Sequence, residues 1–201
     1  HNLMREKVLP YLNKEVPTVM VLLDNMRYDQ WKVIEPYITE LFKVEEEDHF
    51  YSILPTATQY SRNAIFAGMM PSEIAKHYKD WWKNDTDEGG KNMHEADLLG
   101  KQIERVLRRG DIKWDYTKVT RTNFARQMQD RALDFLNNDF SVIVYNFIDM
   151  LSHARTEMEV LKELAGDEKA YRSLTRSWFE NSPLWATLRK LSERDVQLIV
   201  T

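Results

Sequence analysis

Short uninterrupted apolar runs alternate along this chain with longer segments whose apolar residues recur at helical spacing. An uninterrupted apolar run is typical of a strand that is buried on both faces of a parallel sheet. The runs predict strands at Thr18–Leu23, Phe50–Leu54, Phe140–Ile148 and Asp195–Thr201, and a further short strand is predicted at Trp114–Val119.

The segments between these runs predict helices, and a polar loop at 84–92. The predicted helices are Asn2–Lys14, Tyr28–Phe42, Gln59–Gly68, Ser72–Lys83, Met93–Arg109, Asn123–Asn137, Thr156–Leu164, Lys169–Trp178 and Pro183–Glu193. Because strands alternate with helices, we predict an α/β fold with a mostly parallel central sheet and helices on both of its faces.

Polar side chains with chemical capacity follow three of the predicted strands. Asp24 follows the first, Thr56 and Thr58 lie at a corner after the second, and Asp149 with His153 follow the strand that begins at Phe140. In open α/β sheets, ligands bind at the carboxyl ends of strands, so these side chains are candidates for one site.

Each candidate also has a purely structural interpretation. Asp24 is suited to cap the helix that follows it, and threonine is a common first residue of helices that do no chemistry. His153 has the spacing from Asp149 to share a metal ion, but it is equally compatible with an ordinary helix surface.

Composition limits the chemistry that these residues can perform. The chain has no cysteine, so a metal would have to be held by Asp, Glu, His, Thr or Ser. The net charge of −4 gives no general attraction to nucleic acid, so a phosphate-bearing ligand needs a local site. No apolar run approaches the roughly 20 residues of a membrane-spanning helix.

Carboxylates, an imidazole and a hydroxyl at a helix N-terminus are the parts of a two-metal phosphoryl-transfer site. The ordered motifs VLLDNMR, PTATQYSRNAIFAGMMP, DMLSH and LIVT resemble the alkaline phosphatase superfamily, and specifically its PglZ branch, over nearly the whole chain. The Pro-Thr-x-Thr corner at 55–58 is also similar to that of nucleotide pyrophosphatases/phosphodiesterases. The resemblance implies an alkaline-phosphatase-like core.

The resemblance also implies roles for particular residues. Thr58, rather than Thr56, would be the nucleophile and would bind a zinc ion together with Asp24. Asp149 and His153 would bind a second zinc ion.

Phosphate-oxygen donors are implied at the start of the helix, at Ser61, Arg62 and Asn63. In this family an Asp-His pair follows the fourth strand, and a further His comes later. We therefore expect a chain truncated at its C-terminus, with these ligands beyond Thr201 and zinc binding that is weak in residues 1–201 alone.

The implied domain organisation is a lead-in helix at 1–16 and the N-terminal part of a PglZ domain at 17–201, with a helical insertion at about 72–120. The remainder of that domain and a receiver domain would lie outside this chain. The receiver domain would control a homodimer.

The implied function is that of a cytoplasmic, zinc-dependent phosphodiesterase or phosphatase that cleaves phosphodiesters or oligonucleotides. It would be the output domain of a two-component response regulator of type IX secretion, with a histidine kinase or sigma factor as partner. Two alternatives remain open: a non-catalytic module that binds a sigma factor or secretion component, and a phospho-sugar mutase or phosphatase of the same superfamily.

Overall fold

The computed structural model describes residues 1–84, 86–108 and 110–201, with the backbone alone at Thr122. Asp85 in the predicted polar loop and Arg109 at the end of a predicted helix lie outside the described residues. The chain divides into two compact units, one formed by His1–Leu12 with Asp48–Ile112 and the other by Asn13–Glu47 with Lys113–Thr201. The first unit contains most of the insertion predicted at about 72–120, whereas the family-based domain boundaries stay a prediction.

The elements follow one another along the chain in an alternating order. The strands are β1 (Thr18–Leu23), β2 (Trp114–Val119), β3 (Phe140–Tyr145) and β4 (Gln197–Val200). The helices are α1 (Tyr28–Leu41), α2 (Thr58–Ala67), α3 (Pro71–His77), α4 (Glu95–Leu107), α5 (Thr122–Asp130), α6 (Phe147–Glu157), α7 (Glu159–Leu164), α8 (Glu168–Glu180) and α9 (Pro183–Ser192). A π-helix (Met4–Val8) and two 3-10 helices (Leu9–Tyr11, Ala132–Asn137) complete the described elements. None of the helices in the described ranges is long and apolar enough to cross a membrane.

The four described strands form one parallel sheet in the second unit, in the order β2-β3-β1-β4. Every residue of the two central strands, β1 and β3, is buried. Since successive side chains of a strand point to opposite faces, both faces of these strands are covered. The predicted α/β class with a parallel sheet is confirmed.

One face of the sheet packs against the amphipathic helices of the same unit. Val19, Val21 and Leu23 of β1 share a hydrophobic core with α1 and α9, to which Ile34 and Leu188 contribute. Burial of each such side chain contributes roughly 1.5–3 kcal/mol relative to exposure. This core fixes β1 and β3 next to each other and so fixes the edge of the sheet at which both strands end.

The first unit is organised around packing between α2 and α4. Helix α2 ends at Gly68, whose φ of 60° lies in the left-handed region that glycine adopts without a steric penalty. A Cβ at this position would lie 2.7 Å from Cδ of Gln102 on α4. Gly68 therefore allows the two helices to approach closely.

Several predicted boundaries were wrong. The described residues Phe50–Leu54 form no strand, and Tyr51 is 93% exposed, because no neighbouring strand pairs with this apolar run. The strand predicted to end at Ile148 ends at Tyr145, and the predicted helix Asn2–Lys14 is a π-turn followed by a 3-10 turn. The helix predicted at Ser72–Lys83 ends at His77.

Candidate active site

Asp24 lies at the carboxyl end of β1 and its side chain is buried. Its backbone N–H donates to the carbonyl of Tyr145, the last residue of β3, at 3.1 Å. Helix α1 begins only at Tyr28, with Arg27 as its N-cap residue, so Asp24 is not the cap. Asn25 adopts a φ of 62°, a conformation that asparagine tolerates better than most residues, and turns the chain away from the sheet edge.

Asp149 and His153 lie one turn apart on α6, just after β3. Nε2 of His153 is 3.7 Å from Oδ1 of Asp149, and the Asp149 side chain is about a quarter exposed while that of His153 is mostly exposed. The i, i+4 spacing places both side chains on one face of the helix. The two residues are therefore brought together, although Asp149 is part of the helix rather than the end of the strand.

Glu157 extends this face of α6 by another turn. Its Oε1 is 4.0 Å from Nδ1 of His153. Sequence inspection did not single out Glu157, although its i, i+4 spacing from His153 was visible once a helix was assumed.

Thr58 is the first residue of α2, in the first unit, and it is half-buried. The N-cap residue is Ala57, which has no side-chain oxygen to accept from the free N–H groups of the first turn. A Thr hydroxyl at such a position is adjacent to backbone donors that can bind a phosphate oxygen. Thr56 lies before the helix and is exposed.

The three residues expected to donate to phosphate have different surroundings. The Ser61 hydroxyl donates to the carbonyls of Thr56 or Ala57, at 3.4 and 3.3 Å. Asn63 is buried, and its amide donates to the carbonyl of Lys91. Its Oδ1 accepts from Asn92 at 3.1 Å.

Arg62 is held in a buried, two-point ion pair with Glu95 of α4. Nε and Nη2 of Arg62 each lie 2.6 Å from a Glu95 carboxylate oxygen, and the two side chains are 3% and 1% exposed. An Arg–carboxylate fork of this kind holds both groups in one orientation. The contacts of Arg62 and Asn63 favour an anchoring role between α2 and the segment leading into α4.

An ion-pair network at the carboxyl edge of β1 was not visible in the sequence. Arg27 contacts both Asp29 and Glu168, Arg172 lies 3.2 Å from Asp29, and Arg155 lies 3.2 Å from Glu168. The hydrogen bond from Arg27 lowers the pKa of Asp29 to about 2. The network links the starts of α1 and α8 to the last turn of α6, so it holds the helix that carries Asp149 and His153.

The side chains of Asp149 and His153 are suited to form part of a zinc site. A carboxylate and an imidazole on one helix face are zinc ligands of the ordinary kind. Within the part of the chain that the structure describes, no group of three or more Asp, Glu or His side chains is placed to hold a metal ion. Asp149 and His153 therefore fit as two ligands of a site that needs further ones.

Comparison with known proteins places the chain in a family. The search of curated proteins found no match. The family model described as "BREX system PglZ alkaline phosphatase-like domain" matches residues 3–201. The match covers nearly all of the chain, and the parallel α/β sheet agrees with it. The chain belongs to the PglZ family of alkaline phosphatase-like domains.

Proposed function

We propose that this domain is a zinc-dependent phosphodiesterase or phosphatase in which Thr58 is the nucleophile. Membership of an alkaline phosphatase-like family favours phosphoester hydrolysis in general. The observation that carries the proposal is the pairing of Asp149 with His153 on α6, next to the sheet edge where β1 ends in the buried Asp24. A carboxylate and an imidazole one turn apart on a helix can be ligands of the same metal ion.

By the family resemblance, Asp149 and His153 would be ligands of one zinc ion, and Asp24 and Thr58 would be ligands of the other. Bound zinc supplies a lowered hydroxyl pKa and stabilisation of negative charge on phosphate oxygens. The N–H of Leu23 donates to the Thr201 carbonyl at 2.7 Å, so Thr201 lies beside the end of β1, next to Asp24.

The chemical step is attack by Oγ1 of Thr58 on phosphorus. The P–Oγ1 bond forms as the bond to the leaving oxygen breaks, and the Thr58 proton passes through solvent to the leaving oxygen. Water then attacks phosphorus of the phospho-threonine or nucleotidyl-threonine, the P–Oγ1 bond breaks, and a proton from that water restores the Thr58 hydroxyl. The N–H groups at the start of α2, which the Ala57 side chain does not cap, are suited to donate to a phosphate oxygen during this step.

The regulatory setting is a further part of the proposal. We expect this domain to be the cytoplasmic output domain of a response regulator of the PorX type, which governs type IX secretion. A receiver domain would control dimerisation, and a histidine kinase or sigma factor would be the protein partner. This part rests on the resemblance of the ordered motifs.

Hydrolysis of bis-p-nitrophenyl phosphate and of short oligonucleotides by the full-length protein tests the catalytic proposal. Thr58→Val should lower turnover by at least a thousandfold, because it removes the only oxygen that attacks. Thr56→Val is the matched control, since it makes the same change two residues away on an exposed side chain, and it should retain nearly full activity.

Two outcomes would overturn the proposal. Full turnover by Thr58→Val would exclude this nucleophile, and zinc-loaded protein without turnover would favour a binding module. A preference for monoesters over diesters would favour a phosphatase or mutase acting on phospho-sugars.

A further inference from the structure

A pocket of about 620 Å³ opens beside the carboxyl ends of β2 and β3, entirely within the second unit. Its volume lies within the range of roughly 300–1,000 Å³ that is usual for small-molecule sites. The lining begins at Val119 and Tyr145, the last residues of these two strands, and continues along α6 through Phe147 and Met150. Met150 is the neighbour of Asp149, so one helix contributes both to this pocket and to the proposed metal pair.

Positive charge dominates the pocket. Arg121 is the N-cap residue of α5, Arg126 lies in the middle of that helix, and Arg189 comes from α9, which packs against α5. No acidic partner of these three arginines is found among the residues that the structure describes. Glu180 is the acidic residue in the lining. In a chain with a net charge of −4, this local excess of arginine is suited to bind an anion.

The apolar part of the pocket is aromatic. The rings of Phe147 and Trp178 are stacked with an angle of 5° between their planes, and Trp185 also contributes to the wall. Trp178 and Trp185 are half-buried, so each ring keeps an accessible part. Flat aromatic surfaces of this kind stack on nucleobases without requiring a particular base.

Tyr145 adds a neutral polar group to the pocket wall. Burial raises the pKa of its hydroxyl to about 12. A tyrosine hydroxyl is protonated at neutral pH even at its ordinary pKa of about 10, so this group does not repel an anion.

From this combination we infer that the pocket binds a nucleoside phosphate, with the base against the Phe147–Trp178 wall and the phosphate near the arginines. The inference rests on the proposed function and deepens it, because the pocket would hold one nucleotide of the substrate. An aromatic wall alone would favour any apolar ligand, and arginines alone would favour any anion. Their occurrence in one pocket favours a ligand that has both a planar ring and a phosphate.

Adenosine monophosphate is the probe that tests this inference. Its binding to the full-length protein is measured by calorimetry, and by quenching of tryptophan fluorescence, in the presence of EDTA. Adenosine and ribose 5-phosphate, which each lack one half of the recognised group, should bind at least tenfold more weakly. This binding assay needs neither a metal nor turnover. Adenosine monophosphate can therefore bind even if the protein does not hydrolyse phosphodiesters, and hydrolysis can occur even if adenosine monophosphate does not bind. The two proposals are thus tested independently.

Arg126→Ala and Arg189→Ala should each weaken binding of adenosine monophosphate roughly tenfold, since each removes a charge-assisted hydrogen bond. Arg194→Ala is the matched control, because Arg194 is also exposed but does not line the pocket. All three arginines lie on the surface, so the variants should fold normally.

Equal affinity of ribose 5-phosphate and adenosine monophosphate would overturn the assignment of the aromatic wall. Unchanged affinity in both pocket variants, or an equal loss in Arg194→Ala, would overturn the assignment of the arginines. Absence of binding at millimolar concentration would overturn the inference as a whole.

Discussion

Helices α2 and α6 both carry predicted site residues, but they use their polar side chains in opposite ways. On α2, Arg62 and Asn63 are buried and bound to other groups of the first unit. On α6, Asp149 and His153 face each other on a partly exposed surface. A buried polar side chain close to a predicted nucleophile is therefore engaged in contacts that hold the fold, whereas one that is accessible remains available for a ligand.

This difference in burial predicts that substitutions of the polar residues of α2 and their partners mainly change stability. Substitutions of the polar residues of α6 should mainly change ligand binding. The buried Arg62–Glu95 pair gives the largest expected effect on stability. Glu95→Gln should lower the free energy of unfolding by about 3–5 kcal/mol, because it removes the carboxylate charge that pairs at two points with the buried Arg62 guanidinium. Urea denaturation followed by circular dichroism measures this change.

A double variant checks the cause of that loss. Arg62→Met combined with Glu95→Leu should be less destabilising than Glu95→Gln alone, since no buried charge is left. If the double variant is less stable than Glu95→Gln, the loss in Glu95→Gln is not caused by a buried uncompensated charge.

Gly68→Ala is expected to have the second largest effect, about 1–3 kcal/mol. The left-handed φ of 60° costs roughly 1–2 kcal/mol for a residue with a Cβ, and the new Cβ must also displace the Gln102 side chain. The shift of the urea midpoint measures the loss. Gly110→Ala is the control, because a Cβ there has open space, and an equal loss in both variants would contradict the steric explanation.

The exposed ion pairs around Asp29 should have a small effect. Asp29→Asn should cost less than about 1 kcal/mol, because the partly exposed pairs are screened by water and salt. The pKa of Asp29 in the folded protein is about 2, below the ordinary value for an aspartate, because of the hydrogen bond from Arg27. This contribution is therefore present above about pH 4 and is lost as the pH falls towards 2.

The dependence on pH checks this effect directly. The difference in stability between the natural protein and Asp29→Asn should shrink between pH 4 and pH 2, and also in 1 M salt. A difference that grows on acidification would contradict the assigned direction of the pKa shift.

Asp149→Asn should have the smallest effect on stability, within about 0.5 kcal/mol, because its side chain is partly exposed on a helix surface. The same change should weaken zinc binding by the full-length protein by at least tenfold, since a carboxylate ligand is lost. Zinc content after dialysis measures the affinity. Glu163→Gln on α7 is the control for loss of a surface carboxylate, and an equal loss of zinc there would contradict the assignment.

Thr18–Leu23 and Trp114–Val119 were predicted with the observed bounds, although every residue of the first strand is buried and only Val119 of the second is. Phe50–Leu54 has a similar local pattern but forms no strand, because pairing depends on a neighbouring strand that the local sequence does not encode. Helix α6 begins two residues after β3, a boundary that a continuous apolar run through Ile148 conceals.

The candidate site residues could be named from the sequence, whereas the ion-pair partners of neighbouring residues could not. Asp24, Thr58, Asp149 and His153 were named from their positions after apolar runs and from the family resemblance, and their roles stay predictions. The partners of Arg62 and Arg27 could not be named, because Glu95 and Glu168 lie far away in sequence. The arginines and rings of the pocket likewise come from separate helices.

The sequence by itself determined the parallel α/β class, the buried central strands and the residues that follow them, because hydrophobic periodicity is a local property of the chain. Only the tertiary structure decided which polar residues are buried in ion pairs, which lie accessible on α6, and which arginines gather at the aromatic pocket. Those outcomes depend on contacts between residues distant in sequence, and such contacts form only when the core brings the helices together.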